Sequence, residues 1–178
     1  MKRLIMCEGP NELVIMNILL RNDALVFTED DLLGLTPYHA RQIKTSTQVK
    51  AALNMYPEND VLVMRIGDTQ NDKLEIPADY KEKIIGIERY CTMPEVEMLL
   101  IISEGLVKEF EKVKSKMGPK SFSKANISLN RKPYNNSSQF FEDYYGGDCE
   151  KLISAIREYK RIKGSHKNSE LYLADILR

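Results

Sequence analysis

The first two carboxylates of the chain stand where a metal-assisted reaction would need them. Glu8 closes the apolar run Arg3-Leu-Ile-Met-Cys7 and precedes Gly9-Pro10, and Glu12 follows one turn of chain later. An acid at the carboxyl end of a buried strand sits where open α/β sheets place their ligands. Glu12 falls in the first turn of a helix. Two acids held this way can share a hard cation such as Mg²⁺, which takes carboxylates, water and substrate phosphates as ligands. The same residues also admit a structural role, with Glu8 a polar strand end and Glu12 an acid favoured by the helix dipole.

The positioning elements follow from hydrophobic pattern and from the residues that interrupt it. Residues 3–7, 24–28, 60–66 and 83–90 read as four strands, each a short apolar run bounded by turn formers. Helices are expected over 12–21, 37–56 and 95–116, the last stopped by Gly118-Pro119. Residues 119–147 are polar, rich in Ser and Asn, and read as loop. Two helices, 148–162 and 168–177, close the chain. Strands alternating with helices predict a mostly parallel four-stranded sheet covered on both faces, with right-handed crossovers. The division is an α/β core over 1–118, a polar loop region over 119–147, and carboxyl-terminal helices over 148–178 packing on the core. If strands 3–7 and 60–66 are neighbours, Glu8 and Asp68 leave the sheet at one edge, and two distant acids become one site.

Composition bounds the rest. A chain of 178 residues with a hydrophobic share of 43% supports one domain with a real core. No apolar run reaches the roughly 20 residues that span a bilayer, and no signal-peptide pattern opens the chain. Three cysteines at wide spacings fit buried thiols in a reducing cytoplasm. Two histidines make an imidazole-rich zinc site a poor expectation. The charge balances, 26 basic against 26 acidic residues, so a basic whole-molecule surface is excluded. The distribution is uneven, however: Lys112, Lys116, Lys120 and Lys124 lie in a strip poor in acids. Such a strip could track a phosphate backbone, or it is a solvated helix face. Phe140-Phe141 and Tyr144-Tyr145 could stack on bases or anchor the long loop.

Three motifs together resemble the Toprim domain. They are strand-Glu8-Gly-x-x-Glu12-helix, then strand-Gly-Asp68-x-x-x-Asp72, then Met93-Pro94-Glu95-Val-Glu97. The closest branch is the small Toprim-like proteins and overcoming-lysogenization-defect nucleases of bacterial and phage conflict systems. The resemblance covers roughly residues 1–105. It implies a Toprim-like, Rossmann-like fold and Mg²⁺- or Mn²⁺-dependent hydrolysis of nucleic-acid phosphodiesters, with phage defence or a mobile element as the setting. Glu8, Asp68 and Lys167 become the catalytic candidates. Glu8, Glu12, Asp68, Asp72 and Glu97 become metal ligands, and Lys112, Lys116, Lys120 and Lys124 the nucleic-acid track. A partner ATPase or other protein and a homo-oligomer are compatible with this reading.

The chain departs from the pattern where Asp-x-Asp is expected: it has Asp68-Thr-Gln70, and Gln70 brings no charge. Asp72 either substitutes or is an ordinary turn residue. That departure keeps open a second expectation, a catalytically decayed module that binds a partner protein or nucleic acid. Glu97 could equally cap its helix or pair with Arg89, and Lys167 could be a solvated residue between helices. Nucleotide hydrolysis of the P-loop type is disfavoured, since Cys7-Glu-Gly9-Pro-Asn lacks the glycines and the lysine.

Overall fold

Alternation along two central strands sets the layers. In β1 (Lys2–Cys7), Leu4 and Met6 enter one core while Ile5 and Cys7 enter the other, as a period of two demands. The computed structural model describes residues 1–68, 72–93, 95–163 and 171–178. After β1 come α1 (Pro10–Arg21), β2 (Tyr38–His39), α2 (Thr47–Met55), β3 (Val61–Gly67) and β4 (Ile84–Cys91). Then follow α3 (Met98–Ser103), α4 (Val107–Val113), α5 (Pro119–Asn126), β5 (Ser128–Leu129), β6 (Lys132–Pro133), α6 (Ser138–Tyr145), α7 (Cys149–Ile162) and β7 (Leu171–Tyr172). The main sheet has five strands in the order β2-β1-β3-β4-β7, and every pairing in it is parallel. This is an α/β architecture with helices on both faces of a parallel sheet, compatible with a Rossmann-like fold.

The larger core lies between one face of the sheet and α1, α3, α6 and α7. Ile15, Ile18 and Leu19 of α1 are fully buried there, each worth about 1.5–3 kcal/mol of apolar transfer. Pro10 starts α1 at a position where its missing N–H costs nothing. Asp23, at φ 51°, turns the chain out of the helix, and the Asn22 amide donates back to the Ile18 carbonyl. The other face packs on α2 through Val49 and Leu53, and on Ile43, Leu74 and Tyr80.

Several expected elements differ. The sheet holds five strands where four are expected, and its membership changes. Ala24, Leu25 and Phe27 are buried, yet residues 24–28 form no strand; Leu25 makes only an isolated bridge to Leu177. The edge place beside β1 belongs to Tyr38–His39, inside the expected helix 37–56. That helix starts only at Thr47, where the Ser46 hydroxyl accepts from the Val49 N–H. The expected helix 95–116 is two helices, because Gly105 adopts φ 70°, a left-handed conformation that closes α3. Residues 119–147, expected as loop, carry α5, α6 and a hairpin. Asn130 and Arg131 both take positive φ in that two-residue turn, which suits the twist of the flanking strands. Phe140, Phe141, Tyr144 and Tyr145 are buried in the main core, so they anchor this segment. Of the expected helix 168–177, the described part is β7 followed by the short turn Leu173–Ile176. Among the described residues, no helix is long and apolar enough to cross a membrane.

Candidate functional site

Parallel register brings the strand ends to one edge. Cys7 aligns with His39 on one side and with Ile66 on the other, and Gly67 aligns with Cys91. The ladder continues a residue beyond the strands: Glu8 N–H donates to Ile66 O at 2.8 Å, Ala40 N–H to Cys7 O at 3.0 Å, and Thr92 N–H to Gly67 O at 3.0 Å. Residues 8, 40, 68 and 92 therefore leave the sheet side by side.

Two glycines make room for the first two acids. A Cβ on Gly67 would stand 2.6 Å from the Glu8 Cβ and closer still to its carboxylate. A Cβ on Gly9 would meet Glu12 Oε2 at 2.6 Å. Glu8 thus lies across the end of β3, and Glu12 folds back over the turn that precedes α1. Both are buried, at 9% and 8% exposure.

A cleft of about 330 Å³ opens at this edge. Glu8, Glu12, Asp68, Glu95 and Glu97 line it, together with Asn11, His39, Arg41, Lys120 and Asn136. Four of the five expected metal ligands therefore share one space. Their fields reach one another: burial first, and then the charges of Asp68, Glu97 and Glu8, together push the Glu12 carboxyl from 4.5 up to about 7, against a backbone hydrogen bond that lowers it. Burial, with Glu12 nearby, also raises the Cys7 thiol.

Glu97 precedes α3 and is 2% exposed. The Tyr134 hydroxyl donates to its Oε1 at 2.7 Å. Burial, then the Glu97 carboxylate, hold that phenol protonated. Glu95 does different work: its Oε2 accepts from the Lys120 N–H at 2.7 Å and so fixes the first turn of α5 against the cleft. Asn11 is 8% exposed and its Oδ1 is buried without a hydrogen-bond partner. Asn11 is also a lining residue of the cleft, and an amide oxygen is a hard, neutral donor.

Asp72, the fifth expected ligand, does not line the cleft. Arg65, buried in β3, donates to its backbone carbonyl at 2.6 Å and meets Oδ2 at 2.9 Å, while Gln42 Nε2 lies 3.4 Å from Oδ1. The acid is spent on holding its own loop. Of the expected lysine track only Lys120 lines the cleft; Lys112, Lys116 and Lys124 are exposed along α4, the following turn and α5. Lys167 and Gln70 lie outside the described residues.

The donor set suits a hard divalent cation: carboxylate oxygens, one amide oxygen, and no thiolate or imidazole needed. Among the described residues, no three His, Cys, Asp or Glu side chains converge closely enough to hold an ion between them as they stand. The acids form a shared wall, not a finished coordination shell. Asn11, Glu95, His39, Arg41 and Asn136 are the lining residues that sequence reasoning missed. Asn11 lies inside the first motif and was within reach of it. His39 and Arg41 were hidden, because the strand that ends at His39 and leads to Arg41 is only two residues long. No family model, no curated protein and no solved structure matches the chain.

Proposed function

We propose that this cleft holds a divalent cation, Mg²⁺ or Mn²⁺, and hydrolyses phosphodiester bonds of nucleic acid in the manner of a Toprim-type nuclease. The supporting observation is that Glu8 and Glu12 from one stretch, Asp68 from a second and Glu97 from a third line one space at the carboxyl edge of the sheet. Like charges gathered in a buried place cost free energy unless a cation or protons offset them. Glu8 and Asp68 hold the ion, and Glu12, Glu97 and Asn11 Oδ1 complete the donor set. When bound, the ion supplies a Lewis acid for the phosphoryl oxygen and lowers the pKa of the attacking water. The protein's part is orientation. Gly67 leaves space for Glu8, Tyr134 fixes Glu97, and the Glu95 cap sets Lys120 beside the substrate phosphate. The substrate is DNA or RNA, with phage defence or a mobile element as the setting and a partner ATPase as a further component.

A second reading has its own observation. Asp72, the acid available to replace the missing second Asp, is bound to Arg65, which favours a decayed module that binds nucleic acid or a protein without turnover. The deciding experiment is a thermal melt with millimolar Mn²⁺, followed by nuclease assays on single- and double-stranded DNA and RNA. The expected result is a higher Tm in wild type, lost in Glu8→Gln and Asp68→Asn, and hydrolysis reduced roughly 100-fold in either variant, the scale of removing a transition-state electrostatic contact. A shift without turnover selects the decayed module, and no shift at all removes the hydrolytic reading.

A further inference from the structure

Arg41 stands between two clefts of opposite character. One is the acidic cleft, where its guanidinium lies 3.7 Å from Glu8 Oε1 and its Nε 3.5 Å from the Glu8 carbonyl oxygen. The other, about 390 Å³, is lined by His39, Arg41, Thr45, Ser46, Thr47 and Gln48, and no carboxylate among the described residues lines it. His39 and Arg41 belong to both walls. The backbone of Arg41 is held from below, since Arg65 Nη2 donates to its carbonyl at 3.3 Å. Its side chain is 66% exposed, so an anchored base carries an arm able to serve either side.

We propose that Arg41, with His39, seats the substrate phosphate next to the one at the carboxylates, and that its contact with Glu8 couples strand binding to cation binding. This rests on the hydrolytic reading above and names what the site accepts: a strand with consecutive phosphates, rather than an isolated phosphate ester. A cleft walled by acids repels a polyanion, so the strand must be gripped beside it. A guanidinium is the fitting group, because its planar fork matches two phosphate oxygens at once. Before a divalent ion binds, Arg41 offsets the charge of Glu8. Once an ion takes that carboxylate, the guanidinium is released to the neighbouring phosphate. Each ligand then raises the affinity of the other by the same factor.

The test uses the whole chain, with Arg41→Ala and Arg41→Lys compared with wild type. Fluorescence anisotropy reads binding of a labelled single-stranded oligonucleotide over a salt series, with and without Ca²⁺; thermal melts read Mn²⁺ affinity without nucleic acid. In Arg41→Ala, oligonucleotide binding should weaken about tenfold and the salt slope fall by roughly 1, the loss of one phosphate contact. The same variant should bind Mn²⁺ several-fold more tightly, and Ca²⁺ should no longer strengthen strand binding. Arg41→Lys should restore the slope but not the full affinity. Strand binding indifferent to Arg41→Ala overturns the inference and leaves the hydrolytic reading standing. Weaker Mn²⁺ binding in that variant overturns the coupling. A wild type silent to Mn²⁺ overturns the hydrolytic reading and the coupling together.

Discussion

Glu12 and Asp72 are both acids beside the carboxyl edge of the sheet, yet their surroundings are opposite. Asp72 faces a buried guanidinium and a side-chain amide, which satisfy its charge and tie down the loop after β3. Glu12 faces three other acids across a cleft, and its carboxyl is pushed up to about 7. Charge balanced within the protein is architecture. Charge left in excess in a confined place marks where a ligand of opposite sign stabilises the fold as well as the site.

The most sensitive way to break this comparison is pH. Between 4.5 and about 7 the folded protein holds a proton on Glu12 that the unfolded chain has already lost. Stability contributed by this group is therefore full at low pH and falls as pH rises through about 7. The loss is about 3 kcal/mol, at roughly 1.4 kcal/mol per pH unit of displacement. Glu12→Gln should then exceed wild type by about that amount at pH 8 in urea denaturation without metal, and match it at pH 4. Equal stability of the two proteins at pH 8 would mean that Glu12 and Asp72 do not differ as described.

A smaller effect is expected from Gly67→Ala. The added methyl collides with Glu8, costs about 2 kcal/mol as an overpacked site, and should erase the Mn²⁺ response while the fold remains. A retained response would free Glu8 from its dependence on that glycine. Tyr134→Phe removes the donor from a buried carboxylate and should cost about 1–2 kcal/mol, read as a lower urea midpoint. The equivalent loss at Asp72, Gln42→Ala, should be smaller because that acid keeps Arg65. Neutralising Lys112, Lys116 and Lys124 should change stability by less than about 0.5 kcal/mol, and flatten the salt dependence of nucleic-acid binding if they line its path. An unchanged slope makes these exposed side chains a solvated face and leaves Lys120 as the one contributor of the four.

Much of the frame was legible before any fold was known. β1, β3 and β4 are short apolar runs bounded by turn formers, α1 is a strongly apolar run broken at Asn22-Asp23, and α7 lies between Gly146-Gly147 and Gly164-Ser165. β2 and β7 were not legible, since a two-residue strand has no pattern of its own and exists only because a neighbour offers hydrogen bonds. The break between α3 and α4 was signalled by Gly105 and passed over, because the apolar spacing continues across it. α6 was hidden by its polar neighbours, although Phe140, Phe141, Tyr144 and Tyr145 recur at helical spacing.

The sequence alone determined which residues end the buried strands, and so which acids could meet: Glu8, Asp68 and, through its proline-led motif, Glu97. It also determined that glycine follows Glu8 and precedes Asp68. Tertiary structure decided the pairings. It gave Asp72 to Arg65 and not to the cleft, brought Asn11 and Tyr134 to the acids, and set Arg41 between two clefts, just beyond a strand too short to foresee. Strand ends follow from local apolar pattern, which a chain carries in its order of residues. Charge partnership follows from distance, and distance between remote segments is settled only when the sheet register and the packing of the helices are fixed.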